Sequence, residues 1–191
     1  MQLINGTLNS PFFTFVKAGS ALTDRELFLR LGLENYSLVT DKEYKPLDHP
    51  ESSHLYLTED RAWIHLMDDW GNTPWFNKEV RDRVKKLSLD FDIFSCSVGD
   101  VDASYDFRYY RKGAITREFE MEDPEMNGGR VSINTGQPLP GEEAVRKDVL
   151  EKVLFIASSL GIDIQHNTDK IRCYSRPIPK SDEFVFNEDE Y

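Results

Sequence analysis

The densest chemistry-bearing groups in this chain are carboxylates: Asp100, Asp102 and Asp106 fall close together, with Asp90 and Asp92 shortly before them. Hard cations such as Ca²⁺ or Mg²⁺ take oxygen ligands from flexible loops, and Asp-x-Asp spacing supplies two of them. Asp100, Asp102 and Asp106 are therefore the candidate metal ligands, and a metal-dependent hydrolase using this acidic loop is the enzymatic alternative. The spacing is not that of an EF-hand, since no glycine stands at the turn position and no bidentate glutamate closes the loop. Aspartate also favours solvated β-turns, where its side chain bonds nearby backbone amides, and the turn is the preferred reading.

Histidine offers less. His54 and His65 fall on two segments expected to pair as strands, and Asp68 and Asp69 follow, so a site of two histidines and one carboxylate is conceivable. A structural or surface role for these histidines is preferred, because no spacing motif links the chain's 4 histidines.

Around Asp68 and Asp69 the sequence also gathers Trp63, Trp70, Trp75 and Phe76. Partly exposed rings beside carboxylates would suit a basic protein partner, because aromatic anchors lose little entropy on binding. Asp68, Asp69, Trp70 and Trp75 are the candidate partner-binding residues. The competing explanation is that the rings cover the edge of the core.

Other catalytic signatures are missing. Gly128-Gly129 lacks the Lys-Ser/Thr of a phosphate loop, no G-x-G-x-x-G follows a strand, and no G-x-S-x-G elbow occurs. No cofactor is expected, and neither Cys96 nor Cys173 stands in a nucleophile signature. Two cysteines so far apart suggest free thiols in a reducing compartment.

Charge narrows the partners. A formal net charge of -11, from 34 acidic against 23 basic residues, argues against nucleic acid, which needs a coherent Lys/Arg surface. A basic partner is the electrostatic complement, although solubility explains the same excess. The one local basic island runs from Lys78 to Lys86. Met1 to Gly6 lacks the pattern of a secretory signal, and no stretch reaches the apolar length of a membrane span, so a soluble, cytoplasmic protein is expected.

The elements that must position these residues follow from periodicity. Phe12 to Val16 reads as a first strand, and Thr23 with Glu26 forms a capping-box pattern opening a short helix that Gly32 stops. Tyr36 to Thr40, His54 to Thr58 and Ala62 to Met67 read as extended, the last two forming a hairpin. Asn77 caps a helix to about Leu87, with Val80, Val84 and Leu87 on one face and Glu79/Arg83 and Asp82/Lys86 as i,i+4 pairs.

Period-two alternation is clearest in Asp92 to Val98, Tyr105 to Arg111 and Ala114 to Glu122, the last two joined by Lys112-Gly113. Arg108 and Arg111 are expected to pair across strands with Glu118 or Glu120. Arg130 to Asn134 adds a strand. A long helix is expected over about Glu142 to Leu160, from the stripe Val145, Val149, Val153, Ile156 and Leu160. A short strand near Ile171 to Tyr174 precedes an acidic tail.

The run Asp90 to Asp100, then Tyr105 to Gly113, Arg117-Glu118-Phe119, Glu122-Asp123-Pro124 and Ala157 to Ile162, resembles small uncharacterised acidic bacterial cytosolic proteins, loosely like toxin-immunity proteins. Some proteins of this look are immunity proteins that neutralise bacterial toxins, so the resemblance implies a binding role, and it carries over no functional residues.

The expectation is thus an α+β fold, a mostly antiparallel sheet packed by a long C-terminal helix and two shorter helices. Residues 1–175 form a single domain and 176–191 a flexible acidic tail. The protein is read as a non-catalytic protein-binding module.

Overall fold

The computed structural model describes residues 13–68, 77–99, 104–122, 129–144, 149–164 and 170–178. The chain order is β1 (Phe13–Val16), α1 (Asp24–Leu31), β2 (Ser37–Leu38), β3 (Ser52–Asp60), β4 (Trp63–Asp68), α2 (Lys78–Leu87), β5 (Ile93–Val98), β6 (Tyr105–Arg111), β7 (Ala114–Glu122), β8 (Arg130–Gly136), α3 (Val149–Ser159) and β9 (Arg172–Pro177). The nine strands form one sheet in the order β2-β9-β3-β4-β1-β5-β6-β7-β8, and every neighbouring pair is antiparallel.

β1 lies at the middle of this sheet with all four residues buried, which explains its apolar composition: both faces are covered. Alternation then sends neighbours to opposite cores. Val16, Leu55, Leu57, Ile64, Leu66 and Ile93 join Leu27, Phe28 and Leu31 of α1 and Val80, Val84 and Leu87 of α2. Phe15, Trp63, Phe94 and Phe107 join Val153, Ile156 and Ala157 of α3 in the second core. Full burial of side chains such as Leu27, Leu31 or Ile156 contributes about 2 kcal/mol each.

Local signals match these elements. The Thr23 hydroxyl accepts from the Glu26 amide while the Glu26 carboxylate accepts from the Thr23 amide at 2.9 Å, and Gly32 closes α1 at φ 74°, so both expected caps of α1 are present. The Asn77 side chain accepts the Glu79 amide at 2.8 Å at the start of α2. Lys112 and Gly113 both have positive φ, 53° and 77°, as a two-residue type I′ hairpin turn requires. Of the two expected helix-surface pairs, Arg83 donates to Glu79 at 2.8 Å, but Asp82 is held by Lys78 at 2.9 Å instead of by Lys86.

The long C-terminal helix is not seen. α3 spans 11 residues against 10 for α2, and residues 142–144 stand in turns. Among the described residues the stripe runs past α3 to Leu160, which stands in a turn, and Glu142 is not helical, because helical spacing alone does not register competing tertiary bonds. Glu142, expected at the helix start, sends its carboxylate to Arg117 and to the Leu139 amide. Residues 145–148, including Val145 of the stripe, lie outside the described residues.

The expected strand near Ile171 to Tyr174 is β9, which continues to Pro177 opposite Ser52 and so includes Arg176 and Pro177 in the sheet. The rest of the acidic tail, 179–191, lies outside the described residues. Among the described residues, no helix is long and apolar enough to cross a membrane.

Candidate functional site

Three adjacent strands, β5, β6 and β7, build a charged face on the α2 side of the sheet. The register places Ser97 opposite Asp106 and Asp106 opposite Glu120, while Ser95 faces Arg108 and Arg108 faces Glu118. Phe107 and Cys96 point to the other core, so period-two alternation commits Asp106 and Arg108 to this face. Like charges directly opposite one another destabilise a ladder. Here Arg108 resolves the conflict: its guanidinium donates to Asp106 at 2.7 Å and to Glu118 at 2.8 Å, and lies 3.7 Å from Glu120. The Ser97 hydroxyl donates to the other oxygen of Asp106.

Burial pushes the Asp106 carboxyl above its ordinary range. Arg108 and the Ser97 hydroxyl oppose that rise, and the neighbouring Glu120 and Glu118 add to it. Burial likewise raises the Cys96 thiol well above its usual value, with the Asp106 charge acting in the same direction, so this cysteine is a packed, inert thiol.

α2 faces these strands across a cavity of 740 Å³. The helix contributes Lys78, Arg81 and Lys85 with Asp82, and the sheet contributes Asp106, Arg108, Glu118 and Glu120. The hydrogen bond from Lys78 leads the causes that lower the Asp82 carboxyl, followed by the Lys78 charge and, after a small opposing effect of burial, by Lys85 and Lys86. One wall is therefore basic and the other acidic. Among the described residues no histidine lines this cavity, so the hydroxyl of Ser97 has no imidazole base beside it.

The residues expected from sequence are distributed as follows. Asp106 lies in the site, with both carboxylate oxygens engaged by Ser97 and Arg108, so a metal ion there would compete with a guanidinium already in place. Asp100 and Asp102 lie outside the described residues. Among those that are described, no group of three His, Cys, Asp or Glu side chains is arranged to hold a metal. Asp68 ends β4 opposite Leu55 and is only 4% exposed, because β4 is an interior strand. Asp69, Trp70 and Trp75 lie outside the described residues, whereas Trp63 is buried in the second core.

His54 and His65 do sit on paired strands, but the register sets Thr58 opposite His65, four residues along from His54. That offset is about 13 Å along the strand, too far for one ion. His54 instead meets the Tyr44 hydroxyl at 2.8 Å, and His65 packs edge-on against Phe15 at 4.9 Å. Arg108 pairs as expected, but Arg111 reaches Asp92 at 3.2 Å instead of a β7 carboxylate.

Sequence reasoning missed Ser97 and the role of Arg81 and Lys85 as a wall. Period two could have placed Ser97 on the face of Asp106, but nothing in the sequence says that the basic island of α2 lies over that face.

The chain has no significant match among protein-family models, curated proteins or solved structures. The site's own geometry is thus the basis for a functional reading.

Proposed function

We propose that this protein is a non-catalytic binding module for a basic protein partner, a role of the kind that toxin-immunity proteins perform. The observation that carries this reading is the grouping of Asp106, Glu118 and Glu120 around the single guanidinium of Arg108. Three carboxylates against one cation leave a negative excess on a partly buried sheet face, and Glu122 with Arg130 continues the polar row toward the sheet edge. A chain with net charge -11 steers the same class of partner over longer range.

The test is recovery of partners from host lysate at low and moderate salt, using the wild-type protein beside a Glu118→Gln/Glu120→Gln variant. The expected result is one stoichiometric basic protein whose recovery falls with salt and is lost with the variant. Equal recovery by both proteins would remove this face from the interface, and an empty recovery at both salts would count against the reading itself.

A further inference from the structure

The cavity under α2 has opposed walls. Among the described lining residues, the helix side carries Lys78, Arg81 and Lys85 with Asp82, and the sheet side carries Asp106, Glu118 and Glu120 with Arg108. Val84, Tyr110 and Ile115 contribute apolar surface between them. A simple anion meets the carboxylate wall and a simple cation meets α2, so each is disfavoured at one side. A molecule carrying both charges, separated by an aliphatic stem, satisfies both walls, and the volume of 740 Å³ falls in the range of small-ligand sites.

We propose that this cleft binds a basic amino-acid unit with a free α-carboxylate, its carboxylate toward Lys78, Arg81 and Lys85 and its side-chain cation toward Glu118 and Glu120, the acidic groups of the sheet wall beside the already engaged Asp106. Resting on the reading of a basic partner, the unit is the C-terminal arginine or lysine of that protein, and free arginine is the other source of the same chemistry. Arginine's planar fork suits paired carboxylates, and its methylene stem suits the apolar strip.

The proposal is tested by fluorescence anisotropy with a short labelled peptide ending in arginine, prepared with a free C-terminal carboxylate and as the C-terminal amide, and by competition with free L-arginine. The acid is expected to bind at least about tenfold more tightly than the amide, the size of one lost charge-assisted contact. Arg81→Ala/Lys85→Ala should erase that preference, whereas Glu118→Gln/Glu120→Gln should weaken both peptides. Far-UV circular dichroism and denaturant midpoints establish that each variant is folded. Competition by free arginine at the peptide's own affinity makes the free amino acid the occupant, and weaker competition makes it a chain terminus; both support the site. Equal binding of acid and amide, or no binding of either, overturns the inference. If the lysate partner is still captured in a salt-sensitive way, the basic-partner reading survives that failure.

Discussion

Asp106 and Glu120 stand directly opposite each other on β6 and β7, and Arg108 lies against both carboxylates while also donating to Glu118. The pairing that would otherwise repel is thus held by one side chain, and the face that carries the candidate site depends on it.

Replacing Arg108 with Met should leave three partly buried carboxylates without their shared donor. The expected loss is about 2 kcal/mol at neutral pH, the scale of hydrogen bonds to charged groups. The loss should shrink as acid protonates the carboxylates. Urea denaturation of wild type and variant at neutral and mildly acidic pH measures both effects, and an undiminished difference in acid would show that packing, not charge, is what Arg108 supplies.

A second ion pair holds the approach to α3. Arg117, 3% exposed, donates to both oxygens of Glu142, to Asn134 at 2.7 Å and to the Thr135 carbonyl at 2.9 Å. Glu142→Gln should cost about 3–5 kcal/mol, because it leaves a buried guanidinium uncompensated. Native-state hydrogen exchange should also accelerate at the Leu139 amide, which donates to Glu142. Loss of stability without faster exchange at Leu139 would separate the ion pair from the ordering of this connection.

The pH dependence of Asp106 has a definite sign. Its folded pKa is raised above the ordinary 3.8, so between the two values the folded state holds more protons than the unfolded state. The stability this group contributes is present below 3.8 and declines as pH rises through the folded pKa. The free-energy difference between wild type and Asp106→Asn should therefore move against the wild type over that interval. Denaturation profiles of the two proteins that stay parallel from pH 3.8 upward would contradict the raised pKa.

Local chemistry made much of the architecture legible. The capping box at Thr23 and Glu26, the Asn77 cap and the Lys112-Gly113 turn act within a few residues, so their outcome is written in the adjacent sequence. Alternation in Tyr105 to Arg111 likewise fixed which side chains share a face, and charge complementarity anticipated the bond from Arg108 to Glu118. The start of the expected C-terminal helix was different: the sequence placed Glu142 at its first turn, but the Arg117 guanidinium of β7 claims the Glu142 carboxylate.

By itself the sequence determined the α+β class, the β3–β4 and β6–β7 hairpins and the acidic balance, because these depend on neighbours in the chain and on composition. Only the tertiary structure decided that β1 lies between β4 and β5, that β9 returns beside β3, and that α2 sets Lys78, Arg81 and Lys85 across a cavity from Asp106, Glu118 and Glu120. Those are contacts between segments distant in sequence, selected by burying both faces of one sheet at once, and no short-range pattern encodes which segments will meet.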